Sequence, residues 1–311
     1  MRIIHGTTEF EIEGKSAVAI GKFDGIHLGH QKLLECILEQ KNQGMKAVIF
    51  TFDPPPAVLF GQSHDKELMT REEKRAAFEL MGIDVLIEFP LTYETAAISP
   101  EQFIRQLLCK QIHAAYIAAG TDVSFGAKGA GDAVLLRKMS ETCGYEIQII
   151  DKVCCNGIVV SSTYVREKVT KGCMETVQQF LGAPYSIWGC VVHGNRFGRT
   201  IGMPTVNLMP PVNKLLPPNG VYYSEVYLEG RRYMGITNVG YKPTVSSELQ
   251  MGVETYIYNF DKEIYGVQIG VSLLAFKRPE RRFKDADELK IQMTKDIEEG
   301  MLYHSRVQMK G

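Results

Sequence analysis

Gly21-Lys22-Phe23-Asp24-Gly25-Ile26-His27-Leu28-Gly29-His30 decides how the first half of this chain folds. It follows an apolar run at 17–20 and leads into a helical pattern, so it reads as a strand-to-helix junction. The first N–H groups of a helix have no intrahelical partner and lie at the positive end of its dipole, which makes such a junction a ready phosphate site. Gly21 and Gly25 permit a tight turn, and Gly29 removes a Cβ so that a flat ring can approach. His27 and His30, three apart, share one helix face. A glycine at such a junction is ordinary punctuation, and one histidine on a helix is more often a surface or core residue. Two histidines at a phosphate-ready helix start are harder to explain by packing, and they point to nucleotide handling.

Outward from this stretch, short apolar strands alternate with amphipathic helices. A helix is expected over 28–43 and a strand over 46–52. Thr70 and Glu73 form a capping box opening a helix to Leu80, followed by a strand over 83–89. Ser99-Pro100-Glu101-Gln102 starts another helix, and a strand follows at 115–118. Asp132 caps a helix to Cys143, with a strand over 145–153 and helices over 162–170 and 174–181. Repeated β-α-β units predict an α/β, Rossmann-like domain with a doubly wound parallel sheet, whose ligands bind beyond the strand carboxyl ends.

After Leu181-Gly182-Ala183-Pro184 strands dominate, glycines and prolines multiply, and helices vanish until the C-terminus. The expected boundary therefore falls between a domain at 1–183 and one at 184–311. Strands over 187–192, 221–228, 233–239, 253–258 and 267–276 predict a small antiparallel β-barrel. A terminal helix from Asp285 carries Leu289, Met293 and Ile297 on one stripe, read as packing.

At 311 residues the chain is long enough for two cores. With 35 Lys+Arg against 36 Asp+Glu, a broad electrostatic footprint for nucleic acid or an anionic membrane is disfavoured, and any phosphate site must be local. Seven scattered cysteines without a Cys-x-x-Cys pair suggest a reducing compartment and no structural zinc. Arg2, Glu9, Glu11 and Glu13 replace a signal-peptide core, and no apolar run approaches membrane-spanning length, so a cytoplasmic protein is expected. The composition leaves the oligomeric state open.

A second constellation runs from His193-Gly194-Asn195-Arg196-Phe197-Gly198-Arg199 through Thr200-Ile201-Gly202-Met203-Pro204-Thr205-Val206-Asn207. Gly194, Gly198 and Gly202 make a pliable loop, the arginines supply charge, and Thr205 and Asn207 share one face if the tail is extended. Such oxygens suit magnesium and phosphate. Neither loop is a Walker A, and Gly129-Ala130-Gly131 lacks the third glycine of a dinucleotide fingerprint because Val134 takes its place.

His27-Leu28-Gly29-His30 resembles the His-x-Gly-His motif of the nucleotidyltransferase superfamily. With both halves in view, the chain resembles the bacterial bifunctional riboflavin kinase/FAD synthetase family over nearly its full length. In the first half the resemblance adds Thr51-Phe52-Asp53-Pro54, Gly120-Thr121-Asp122, Phe125-Gly126 and Ser161-Ser162-Thr163 with Arg166. The second half contributes Gly202-Met203-Pro204-Thr205-Val206-Asn207, Gly220-Val221-Tyr222, Asn238-Val239-Gly240, Pro243-Thr244, Glu254 and Tyr265-Gly266.

The resemblance implies phosphorylation of riboflavin to FMN by ATP in the barrel. Transfer of AMP from a second ATP to FMN in the first domain then yields FAD and pyrophosphate. It assigns Glu254 as the kinase base and Thr205 and Asn207 as magnesium and phosphate ligands, with Mg2+ as cofactor. In the adenylyl step it gives His27, His30, Thr163 and Arg166 the work on phosphate. Gly21, Phe23, Asp24, Gly25, Gly29, Asp122 and Ser162 complete that nucleotide site, and Gly194, Gly198 and Gly202 belong to the kinase's.

Three positions depart from the family pattern. Pro55 stands where histidine is common, Gly129 where arginine is usual, and Lys242 where arginine precedes Pro-Thr. The competing readings are a chain with only one activity, a non-catalytic flavin-binding regulator, and a nucleotidyltransferase for another metabolite. The last leaves the Pro-Thr-x-Asn barrel unexplained.

Overall fold

A computed structural model of the protein describes residues 1–61, 66–194, 197–243 and 249–308. The chain divides into two compact units, Met1–Ser162 and Thr163–Gly311.

The first unit is a six-stranded parallel sheet in the order β1-β4-β3-β2-β5-β6. Its strands are β1 (Arg2–His5), β2 (Ser16–Ile20), β3 (Lys46–Asp53), β4 (Val85–Pro90), β5 (Ala114–Gly120) and β6 (Glu146–Ile150). The helices α1 (Leu28–Lys41), α2 (Pro56–Leu59), α3 (Arg71–Leu80), α4 (Pro100–Gln102) and α5 (Ala133–Cys143) connect them. Strands buried on both faces explain the continuous apolar runs. Val18, Ile20, Val48 and Phe50 enter one core, whereas Ala17, Ala19, Ala47 and Ile49 enter the other. Strand order reverses at β2, whose neighbours are β3 and β5, so the segment leaving β2 sits at the topological switch point.

Both capping boxes form, Thr70 with Glu73 and Ser99 with Gln102. The helix begun at Ser99 continues from Phe103 to Gln111 with π-type turns. The strand expected over 145–153 ends at Ile150. A small hairpin follows, β7 (Cys154–Cys155) and β8 (Ile158–Val159), joined by Asn156 and Gly157 at positive φ.

In the second unit α6 (Ser162–Thr170) and α7 (Met174–Leu181) precede a six-stranded antiparallel sheet ordered β10-β13-β12-β11-β14-β9. It comprises β9 (Tyr185–Cys190), β10 (Val206–Leu208), β11 (Gly220–Leu228), β12 (Arg231–Pro243), β13 (Leu249–Ile257) and β14 (Gln268–Arg278). Beyond β9, Val192 bridges Asn207 of β10, bringing the two edges of the sheet together. One helical turn, α8 (Phe197–Thr200), lies where only loop was expected, and α9 (Ala286–Gln308) ends the described chain. The division falls at the first residue of α6, ahead of the change of composition after Leu181, and α7 packs on β9 and β14 within the second unit.

Candidate active sites

In the first unit the junction after β2 folds tightly onto itself. Phe23, Gly25 and Ile26 all take positive φ, at 50°, 86° and 44°. For Phe23 and Ile26 that conformation is a strained outlier held by its surroundings. The Phe23 ring is fully buried, 5.1 Å from His30 and edge-on to Phe78 at 5.7 Å. It therefore supports His30 from the core side. Gly21 leaves the space this ring fills, since a Cβ there would lie 3.1 Å from it.

His27 is the N-cap of α1, its Nδ1 accepting the His30 N–H at 3.3 Å. The two imidazoles stack, with centroids 3.7 Å apart and planes 12° from parallel. The ring that needs the bare α-carbon of Gly29 is His27's own, whose Cε1 lies 3.2 Å from where a Cβ would be. Burial pushes His27 down to about 4, against smaller upward pulls from its backbone, Asp24 and Asp122. Burial first, and then His27, hold His30 well below 6.5. His30 Nδ1 is buried and has no hydrogen-bond partner among the described residues. A buried donor or acceptor left in this way is costly, which fits a group kept for a ligand.

Asp24 is buried, and its carboxylate accepts the N–H groups of Leu68 at 2.9 Å and Met69 at 3.3 Å. Ser162, the last residue of the first unit, donates through Oγ to the Asp24 carbonyl at 2.8 Å. Asp122 is exposed beyond β5, beside Gly120, whose missing Cβ gives its Oδ1 room at 3.0 Å. Thr163 and Arg166 lie on α6, the former exposed and the latter half-buried.

An apolar slot of about 120 Å³ opens beyond β3 and β4, lined by Phe52, Pro56, Phe89, Phe103, Phe125 and Gly129. Of the departing residues, Gly129 lines it directly and Pro55 precedes Pro56 as the N-cap of α2.

In the second unit β10 pairs with β13 so that Asn207 faces Glu254, which also pairs with Asn238 of β12. Thr205 Oγ1 donates to Glu254 Oε1 at 2.5 Å. The Asn207 side chain is buried under Gly194, where a Cβ would lie 2.5 Å from its Nδ2. Gly198 is equally confined: a Cβ would meet the Met203 carbonyl at 2.3 Å, and Met203 N–H donates to Gly198 O at 2.7 Å. Of the three loop glycines, Gly202 has positive φ, at 80°, in open space. Close approach, more than pliability, explains the other two. Asn195, Arg196 and Thr244 lie outside the described residues, and the side chains of Arg199 and Lys242 are not described. Thr205 and Glu254 open onto a cavity of about 610 Å³ that reaches Asn238, Arg278, Glu280 and, on α9, Met293. Glu280 accepts the Asn238 amide at 2.9 Å. Arg278 and Glu280 carry no motif and were not singled out from sequence, whereas the α9 stripe was read as packing although its Leu289 and Met293 line this cavity.

A stacked histidine pair at the switch point of a parallel sheet, with a Thr–Glu pair in an antiparallel barrel-like unit, defines a two-site nucleotide-dependent transferase. The FAD synthetase family matches residues 9–164 and the riboflavin kinase family residues 181–303. The bifunctional riboflavin kinase/FMN adenylyltransferase of Listeria monocytogenes is 32% identical over 97% of this chain and 96% of its own. That of Bacillus subtilis is 33% identical over 99% of each, and that of Escherichia coli 34% identical over 95% of each. A solved structure described as a macrolide-efflux protein from Streptococcus pneumoniae superposes with a TM-score of 0.84 at 28% identity. It covers 95% of this chain and 97% of that one, so the architecture is shared along both chains despite the different description.

The chain belongs to the bifunctional riboflavin kinase/FMN adenylyltransferase family. Its N-terminal region is the FMN adenylyltransferase and its C-terminal region the riboflavin kinase. Riboflavin, FMN and ATP are its substrates. Among the described residues no helix is long and apolar enough to cross a membrane.

Proposed function

We propose that His27 and His30 bind ATP phosphates in the adenylyl step and that Glu254 is the base of the kinase step. What carries this reading is convergence: each half brings its motif residues together, His27 onto His30 and Thr205 onto Glu254. A ribityl hydroxyl has a high pKa and gains from a carboxylate base at the moment of attack, the position Glu254 holds in the larger cavity. Riboflavin fits a cavity of that size, with its ribityl end toward Glu254.

The FMN phosphate is already anionic, so the first unit needs no base; its work is to orient and neutralise phosphates. The histidines act there as neutral hydrogen-bond donors, because burial and stacking oppose their cationic forms. The family resemblance gives Thr163 and Arg166 a part in the same step, Arg166 as a source of positive charge. Gly21, Gly25 and Gly29 shape the loop. Phe23 and Asp24 serve it indirectly, as buried supports. The aromatic slot takes the flavin ring of FMN.

Thr205 and Asn207 fit Mg2+. A hydroxyl and an amide oxygen are hard donors, and Thr205, though it donates to Glu254, keeps lone pairs for a cation. When bound, Mg2+ would neutralise charge on the ATP phosphates. Balanced charge and seven free cysteines support a cytoplasmic enzyme of small-molecule substrates. A domain boundary between 162 and 184 fits both the compact units and the two family matches.

Steady-state kinetics of FMN conversion test the first site. Pro55→His should lower the KM for FMN with little change in kcat, and His30→Ala should lower kcat by about 10²–10³-fold, as for loss of one preorganised donor. An unchanged KM would remove Pro55 from flavin placement, and near-normal turnover would remove His30 from the chemistry.

A further inference from the structure

The wall of the larger cavity opposite the sheet is the first half of α9, where Leu289, Met293 and Asp296 recur at helical spacing. Two of these suit an apolar ring. The third is a carboxylate only 3% exposed. Asp296 is held from three sides. Arg278, at the end of β14, donates to Oδ2 through Nε at 3.0 Å and through a terminal nitrogen at 2.6 Å. Gln292, one turn earlier on α9, donates to Oδ1 at 2.8 Å. The Lys277 ammonium stands 3.4 Å from Oδ1 and also pairs with Glu299. Both members of the Arg278–Asp296 pair line the cavity that holds Glu254.

A buried ion pair is a poor way to gain stability, since apolar residues of the same volume often do as well or better. What it supplies is geometry: two guanidinium N–H groups converging on one carboxylate fix distance and direction together. Farther along, α9 is seated by rings, with Tyr303 stacked on Tyr223 at 4.4 Å. The ion pair thus sets the helix along the stretch that borders the cavity.

The geometry points to Asp296 and Arg278 as positioning residues for riboflavin in the kinase reaction. Their latch fixes the spacing between the Leu289–Met293 wall and the sheet, so that the bound flavin presents its ribityl hydroxyl to Glu254. This rests on the reading that riboflavin occupies the cavity. The latch acts through the wall.

The test compares three variants of the full chain: Asp296→Asn, the double Arg278→Met/Asp296→Leu, and Met293→Trp, which fills the cavity without touching the latch. Riboflavin KM, kcat and thermal midpoint are measured, with FMN-to-FAD turnover as an internal control. Asp296→Asn should raise the riboflavin KM about tenfold, equivalent to about 1.4 kcal/mol of binding, with kcat changed less than about threefold and FAD formation unaltered. The double variant should regain thermal stability by removing both charges, yet keep the raised KM. If it regains both, the pair only holds the fold and the inference is wrong. If Met293→Trp raises KM and Asp296→Asn does not, the latch fails while the cavity reading stands. If Met293→Trp leaves KM untouched, the cavity is not the riboflavin site and both fall.

Discussion

His27 and His30 face each other ring to ring at 3.7 Å, with His27 Nδ1 tied to the backbone N–H of His30. Two cations cannot share that spacing in a buried site without large repulsion. The pair is therefore neutral near pH 7, and each ring keeps one N–H.

Acid should weaken the folded state through this pair. The folded pKa of His27, about 4, lies below its unfolded value of 6.5, so the unfolded chain binds the proton more readily. The stability His27 confers is present above pH 6.5 and lost as pH falls toward 4, by about 3 kcal/mol in all. Thermal midpoints between pH 7 and 4.5 should drop less steeply in His27→Gln than in the wild type. Parallel curves would show that the imidazole titrates normally.

Gly29→Ala separates activity from stability. Alanine is the better helix former by about 1 kcal/mol, yet its Cβ would press on the His27 ring, 3.2 Å away. FMN-to-FAD turnover should fall at least about tenfold while riboflavin phosphorylation is unchanged and the thermal midpoint holds or rises. Full adenylyl turnover in this variant would show that the stack tolerates displacement.

Thr205→Val keeps the shape of the side chain and removes the hydroxyl that meets Glu254 at 2.5 Å. Kinase turnover should fall about 10²-fold, with Thr205→Ser recovering most of it and a raised magnesium requirement in the valine form. Equal activity of the valine and serine forms would place the hydroxyl outside the reaction.

Where the second unit begins decides what a fragment can do. Met174, Val177 and Phe180 of α7 are buried, and each buried apolar side chain of this size contributes about 1.5–3 kcal/mol. A fragment from Thr163 should fold and phosphorylate riboflavin, whereas one from Ala183 should melt earlier. Equal midpoints for the two would put α7 outside the kinase fold.

The β-α-β order, both capping boxes and the histidine loop were legible because each rests on local pattern: periodicity, cap spacing, glycine at a junction. Strand β1 was not, since Arg2–His5 holds two apolar residues between polar ones and forms the edge of the sheet by pairing with β4. The stripe on α9 was read as packing; Ile297 does pack on the barrel core, while Leu289 and Met293 line the cavity. Phe23 was placed in the nucleotide site by resemblance; that its ring turns into the core is set by the fold, since nothing local shows it. Asp296 carries no motif, and only the fold sets it beside Arg278.

On the proposed assignment the two sites work separately, each on its own motif residues. Purified full-length Glu254→Gln and His30→Ala, each incubated with ATP and magnesium and either riboflavin or FMN, test it by separation of FMN from FAD. Glu254→Gln should lose FMN formation by about 10²–10⁴-fold and still convert supplied FMN to FAD. His30→Ala should do the reverse, accumulating FMN. Loss of both activities in either variant, or near-normal kinase turnover without the Glu254 carboxylate, would contradict the account.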